Sequence, residues 1–137
     1  MNGGNIQHTR SHEYASRIME AIWTNTPLKI GGNVLNTGHI IHNFPENACV
    51  EVPCLVDGEG IHPTYVGELP LQLAAMNSSN IYAQLLTIEA AHTMDKKKIY
   101  QAAMMDPHTG AQLSTDEIIA LCDELFDAHE KAGYPIF

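Results

Sequence analysis

An α+β fold is the class this sequence predicts: a small antiparallel or mixed sheet packed with about four to five helices. Three observations point to it. Apolar residues recur at helical spacing near the start of the chain, from Tyr14 to Trp23, and again from Pro70 onward. Between these stretches the strand formers Ile30, Val34, Leu35, Val50, Val52, Leu55, Val56, Tyr65 and Val66 are punctuated by turn residues. Strands gathered in the middle and helices at both ends are the order of an α+β fold, not of alternating βαβ units.

Each element has its own local cause. Ser11 is placed to cap a first helix, along which Tyr14, Ile18 and Ile22, flanked by Ala15, Met19 and Trp23, make a wide apolar stripe. Asn25-Thr26-Pro27 stops it. In the middle, Gly31-Gly32, Asn36-Thr37-Gly38 and Asp57-Gly58-Glu59-Gly60 are the breaks. Pro53 interrupts the strand-like run from Cys49 to Val56 and lacks the N–H that a central ladder needs, so that strand is expected at an edge or with a bulge.

From Pro70 to Ile88 the pattern predicts one long helix, or two pieces broken near Asn77-Ser78-Ser79. Asp95 can cap the next helix, which runs through Ile99, Ala102 and Ala103 to Asp106-Pro107. The last helix carries the clearest signature. Ser114 and Glu117 form a capping box, Leu113 and Ile118 the hydrophobic staple across it. Ile118, Leu121, Cys122 and Leu125 are its expected buried face, and Gly133 and Pro135 end it.

Composition narrows the function classes. The 137 residues include 7 Lys and Arg against 16 Asp and Glu, a formal charge of −9. A protein held by phosphate neutralisation needs clustered cations, and the single run Lys96-Lys97-Lys98 reads as a solvated helix face, so no nucleic-acid partner is expected. Charged residues are 17% of the chain where about 25% is ordinary, while 45% are hydrophobic. No stretch reaches the roughly 18–20 apolar residues of a membrane span. The start MNGGNIQHTR lacks the apolar core of a secretion signal. Cys49, Cys54 and Cys122, odd in number and irregularly spaced, suit free thiols in a reducing compartment. A cytoplasmic protein is the expectation, with residues 1–10 as a flexible lead-in and 11–137 as the domain.

Chemistry-bearing motifs are sparse. Gly58-Glu59-Gly60 is the only G-x-G, and no helix start follows it, which argues against dinucleotide binding there. Glu46, Glu51, Asp57, Glu59 and Glu68 crowd the loop-rich middle, most simply as solvated turn carboxylates, since the sequence pairs none of them across a bond. His39-Ile40-Ile41-His42 places two imidazoles three residues apart, weak metal candidates that Cys49 or Glu51 could complete; hydrogen-bonded loop histidines are the simpler alternative. No nucleophile elbow is present.

A series of linked runs adds a resemblance. Gly32-Asn33-Val34-Leu35-Asn36-Thr37-Gly38, Asn43-Phe44-Pro45, Cys49 to Asp57 (CVEVPCLVD) and Ile61 to Pro70 (IHPTYVGELP) come first. Gln72-Leu73-Ala74-Ala75, Ile88-Glu89-Ala90-Ala91 and Tyr100 to Thr109 (YQAAMMDPHT) follow, and the similarity reaches back to Arg10 to Ala15 (RSHEYA). Together they resemble the C-terminal region of glycoside hydrolase family 4, and these runs are most similar to its α-galactosidase and α-galacturonidase branch. That family uses NAD and a divalent metal such as Mn²⁺. The resemblance implies a glycosidase in which NAD transiently oxidises the sugar at C3, the acidified C2 proton leaves, the aglycone is eliminated, water adds and the hydride returns. Such NAD-dependent chemistry is an exception to the pair of carboxylates that most glycosidases use.

The family's nucleotide-binding half, metal-binding Cys and His, and catalytic base find no counterpart in this sequence. The resemblance therefore implies a C-terminal domain, as a truncated piece, a proteolytic remnant or a split-gene product, inactive alone and binding neither NAD nor Mn²⁺ tightly. Its implied partners are a missing N-terminal nucleotide-binding half, identical subunits, or both, with an α-glycoside as substrate of the complete enzyme. The alternative is a non-catalytic oligomerisation or assembly module. Asn36 is the first choice for a residue lining the sugar, followed by Asn33 and Asn43, with turn formation as the competing role; Arg10 is a further candidate for meeting an acidic sugar or neighbour. Apolar residues left exposed, or covered by self-association, are expected on the isolated chain.

Overall fold

In the computed structural model, which describes residues 13–134, the order of elements is α1 (Ala15–Thr24), β1 (Leu28–Leu35), β2 (Cys49–Asp57), β3 (Gly60–Pro63), α2 (Leu71–Thr93), α3 (Lys96–Met105), α4 (Pro107–Gln112) and α5 (Thr115–Lys131). The α+β class is as expected. The described residues divide into two compact units, one of 13–34 and 51–65, the other of 35–50 and 66–134. The expected cap Ser11, the lead-in with Arg10, and Pro135 lie outside the described residues.

In the first unit, α1 begins at Ala15 and ends on Asn25, whose φ of 52° lets it close the helix in the left-handed region. The same side chain accepts a hydrogen bond from Gly58 N–H at 2.8 Å, tying the helix end to the β2–β3 turn. Only Ala21 of α1 is buried, and the predicted apolar stripe largely faces outward: Trp23 is 90% exposed and Met19 70%.

The strands lie in the order β1-β2-β3, so β2 is central and Pro53 is not on an edge strand. The β2–β3 pair is antiparallel, with Cys54 opposite Pro63 and Asp57 opposite Gly60. Pro53 sits where this ladder runs out. Its carbonyl still accepts from Thr64 N–H (2.9 Å) and Thr64 Oγ1 (2.8 Å), while β3 itself has ended at Pro63. In an antiparallel pair a residue's N–H and C=O point to the same neighbour. The N–H that Pro53 lacks is therefore the last rung toward β3, and the expected edge or bulge is unnecessary.

Burial alternates along β2, with Val50, Val52, Cys54 and Val56 inside. Gly32 permits close approach to this row, because a Cβ there would lie 2.8 Å from Cys54 Sγ.

In the second unit, α2 is one unbroken helix. The polar run Asn77-Ser78-Ser79-Asn80 does not interrupt it. Asn77 Nδ2 donates to Leu73 O, and Ser79 Oγ and Asn80 Nδ2 donate to Met76 O, so the side chains bond back onto their own helix. Asp95 caps α3 by accepting from Lys97 N–H. Asp106-Pro107 ends α3 as predicted and also starts α4, a short helix that apolar periodicity does not set apart. Asp106 accepts from Thr109 N–H, and Pro107 occupies a first-turn position where no N–H is needed.

α5 carries the predicted capping box, with Ser114 and Glu117 bonded reciprocally. Its buried residues are Ile118 and Cys122, whereas Leu121 and Leu125 of the expected inner face are exposed at 39% and 50%. α3 packs against α2, α4 and α5. Small residues occupy buried helix positions, Ala74 and Ala90 on α2 and Ala102 on α3. α2 is apolar on several sides, yet Leu71, Met76, Tyr82 and Ile88 are exposed. A helix hydrophobic all round normally lies inside a structure, and the expected exposure of apolar residues is met.

Candidate functional site

Residues 36–48 connect β1 to β2 without forming an element of their own, and their shape is set from inside by Asn36. It is fully buried. Its Nδ2 donates to the carbonyls of Ile41 (2.9 Å), Phe44 (3.0 Å) and Pro45 (3.2 Å), and its Oδ1 accepts from Ile41 N–H at 2.8 Å. A buried amide with both ends engaged acts as a hub for a loop whose backbone has no ladder to bond to. Asn36 N–H bonds Ala48 O (2.9 Å), closing the base of the loop, and Ile41, Phe44 and Ala48 form its apolar interior.

The chain turns at Gly38 (φ 74°) and His39 (φ 54°), two successive residues in the left-handed region. Gly38 has no Cβ to clash there. Its N–H is held by Glu46 Oε1 at 2.8 Å. Glu46, grouped in the sequence with solvated carboxylates, is thus a loop brace; the eight-residue separation from its partner left no local signal for this.

The far side of the loop is tied to the segment before α2. Ile41 and Gly67 form an isolated parallel bridge, with His42 N–H to Gly67 O at 2.8 Å and Val66 N–H to Ile40 O at 2.9 Å. Asn43 extends the bridge with its side chain: Nδ2 donates to Leu69 O (2.9 Å) and Oδ1 accepts from Leu69 N–H (3.1 Å). The amide imitates a peptide group here and joins two loops that are otherwise without a sheet.

Of the predicted sugar-lining residues, Asn36 and Asn43 therefore turn their amides into the protein, and Asn33 is exposed on β1. The outward-facing polar groups of the loop include Thr37, His39 and His42. His39 Nδ1 lies 3.2 Å from Phe44 O. A carbonyl can only accept, so Nδ1 carries a hydrogen, and in the neutral ring the lone pair is on Nε2. The His39 and His42 ring centres are 6.1 Å apart, edge to face. Neither Cys49 nor Glu51 completes a set with them: among the described residues no three His, Cys, Asp or Glu side chains converge as metal ligands.

Titratable groups elsewhere serve local structure. Asp57 accepts from Glu59 N–H across the β2–β3 turn and from His62 Nε2 at 3.0 Å, and these bonds hold its carboxyl below the ordinary range, the backbone bond first. Gly58-Glu59-Gly60 is thus a hairpin turn leading into a strand, not a phosphate-binding loop before a helix. Tyr100 donates to Asp123, which raises the phenol, and Lys96 Nζ lies 4.2 Å from the Phe126 ring centre. This cluster ties α3 to α5.

Comparison with known proteins gives the chain its relatives. The model of the family 4 glycosyl hydrolase C-terminal domain matches residues 3–109. An alpha-galactosidase of Bacillus subtilis (strain 168) is 57% identical over 129 residues, which are 94% of this chain and 30% of that protein. An alpha-galactosidase of Rhizobium meliloti (strain 1021) is 36% identical over 89% of this chain and 25% of its own length. Among solved structures, a 6-phospho-alpha-glucosidase from gut microorganisms in complex with NAD and glucose-6-phosphate superposes with a TM-score of 0.75 at 25% identity, over 88% of this chain and 26% of that one. A second, in complex with NAD and Mn²⁺, gives a TM-score of 0.73 at 20% identity over 89% and 27%. The chain spans less than a third of the length of each of these proteins.

Proposed function

The chain belongs to the family 4 glycosyl hydrolases as a C-terminal domain, and from that premise we propose that it is the C-terminal part of an NAD- and Mn²⁺-dependent glycosidase of α-glycosides. An α-galactoside is the substrate we favour within a class that includes galacturonides and glucosides. One observation carries this choice: the 57% identity, over 94% of the chain, to a protein named for α-galactoside hydrolysis.

The described residues do not themselves fit NAD or Mn²⁺. The sole G-x-G is a hairpin turn, and no three convergent metal ligands occur among them. Both groups belong, in this reading, with the nucleotide-binding part of the complete enzyme, and the chain alone is inactive. The contribution of residues 11–137 is to shape the sugar-facing loop. Asn36 and Asn43 act on that loop as positioning residues through the bonds described above, and Asn33, exposed on β1, is free to meet a hydroxyl. Three unpaired thiols support a reducing, cytoplasmic setting.

The test is a chimera in which this chain replaces the matching C-terminal part of the Bacillus subtilis relative. It is assayed with NAD and Mn²⁺ on chromogenic α-galactoside, α-glucoside and 6-phospho-α-glucoside. The reading predicts turnover with the α-galactoside fastest; a folded, NAD-binding chimera that is inactive on all three, or prefers the phosphorylated sugar, overturns it.

The exposed apolar residues Trp23, Met19 and Leu71 favour a second reading, an assembly module that covers them by association. Size-exclusion chromatography with light scattering addresses it: a strict monomer at high concentration counts against assembly between copies.

A further inference from the structure

We propose that His39 and His42 form a two-imidazole site for a borderline divalent cation of the Zn²⁺, Ni²⁺ or Cu²⁺ class, with water completing the coordination. This proposal is independent of the glycosidase reading and concerns an ion different in class from the Mn²⁺ assigned to the whole enzyme.

Four features of the loop carry it. The Nδ1–H of His39 is committed to Phe44 O at 3.2 Å, so in the neutral ring the lone pair available to a cation is on Nε2. A ligating histidine characteristically has its second ring nitrogen held by such a partner. Phe44 O is itself fixed, because Asn36 Nδ2 donates to it at 3.0 Å. His42 is anchored through its backbone N–H to Gly67 O at 2.8 Å, and the residue is exposed.

The ring centres stand 6.1 Å apart. With Zn–N bonds of about 2.0–2.1 Å, two imidazoles on one tetrahedral ion have centres roughly 5–6 Å apart, so the two rings already stand near the separation of a ligand pair, and the proposal requires exposed His42 to turn a ring nitrogen toward Nε2 of His39. No third His, Cys, Asp or Glu closes on the pair among the described residues. The site is therefore open and of modest affinity, and imidazole-only ligation selects Zn²⁺, Ni²⁺ or Cu²⁺ over Mg²⁺, Ca²⁺ or Mn²⁺. Bound across residues 39 and 42, the ion would clip the outer rim of a loop whose inner rim is held by Asn36.

Isothermal titration of the full chain with ZnCl₂, NiCl₂ and MnCl₂ tests the site, using His42→Ala and His39→Asn. Asparagine tolerates the left-handed backbone that position 39 adopts, so the second variant keeps the turn. His92→Ala, on α2, is the control for adventitious binding by an exposed imidazole. The proposal predicts one Zn²⁺ or Ni²⁺ per chain, binding at least about 10-fold weaker in either loop variant, the lower end of the loss seen for removing even a supporting partner. It also predicts no change in His92→Ala and a rise in the unfolding temperature with Ni²⁺ that both loop variants lose. Binding unchanged in His42→Ala with the turn intact, or Mn²⁺ binding as tightly as Ni²⁺, overturns it.

Discussion

Replacing Asn36 by Ala removes the hub of the 36–48 loop, and the bonding pattern gives the size of the loss. Three carbonyls that Asn36 serves have second donors: Phe44 N–H for Ile41 O, His39 Nδ1–H for Phe44 O, and Ala48 N–H for Pro45 O. They are weakened but not orphaned. Ile41 N–H, bonded to Asn36 Oδ1 at 2.8 Å in a buried setting, has no such reserve among the bonds described. An unsatisfied buried donor costs about 1–3 kcal/mol, and each lost neutral hydrogen bond about 0.5–1.5 kcal/mol. With one orphaned donor and the two N–H donors of Nδ2 lost, the destabilisation is about 2–6 kcal/mol, a large share of the roughly 5–15 kcal/mol that holds a domain together. Asn36→Asp should be no milder, since it keeps the acceptor for Ile41 N–H but sets a carboxylate oxygen against three carbonyl oxygens. Urea unfolding measures the loss, and amide hydrogen exchange at Ile41 locates it. A loss below about 0.5 kcal/mol in Asn36→Ala, with Ile41 exchanging no faster, would refute the hub.

Other outcomes follow from the same structure. Gly32→Ala drives a Cβ to 2.8 Å from buried Cys54 Sγ and should cost about 1–3 kcal/mol by overpacking, whereas Gly31→Ala meets only the flexible tip of Glu51 and should be nearly neutral; thermal melts of the two variants separate them. The backbone and side-chain bonds from Ser114 hold the Glu117 carboxyl below its ordinary value of 4.5. A depressed carboxylate contributes stability above its unfolded pKa and loses it as pH falls through the folded one. Wild type should therefore lose α5 helicity on acidification below about pH 4.5 more steeply than Glu117→Gln, followed by circular dichroism. Exposed Cys49 should react with iodoacetamide in the native chain while Cys54 and Cys122 stay protected, Cys122 also because burial and then Asp123 raise its thiol pKa. Mass spectrometry of labelled peptides reads this, and native labelling of Cys122 ahead of Cys49 would contradict it.

Local rules made much of this fold legible. The capping box at Ser114 and Glu117, the cap at Asp95 and the turn at Gly58-Glu59 act within a few residues and appear where the sequence places them. Pro53 misled because its tolerance depends on where a neighbouring strand stops, which no local pattern records. The exposed Leu121 and Leu125 misled because helical periodicity identifies an apolar face without saying what covers it. At the loop, the amides of Asn36 and Asn43 bond backbone groups, while a sugar contact for these residues belongs to the proposed function. The residue type was readable, but the direction of its amide depends on partners as far away as Leu69. The His39 tautomer was equally out of reach, since it rests on the position of one carbonyl.

Complementation in trans tests the central claim most directly. The N-terminal part of the Bacillus subtilis relative, made separately, is mixed with this chain, and α-galactoside hydrolysis is followed with NAD and Mn²⁺ present and with each withheld. The account predicts no turnover by either piece alone and turnover by the mixture that requires both NAD and Mn²⁺. Turnover by this chain alone, or a 1:1 complex of the two pieces that binds NAD and stays inactive, would contradict it.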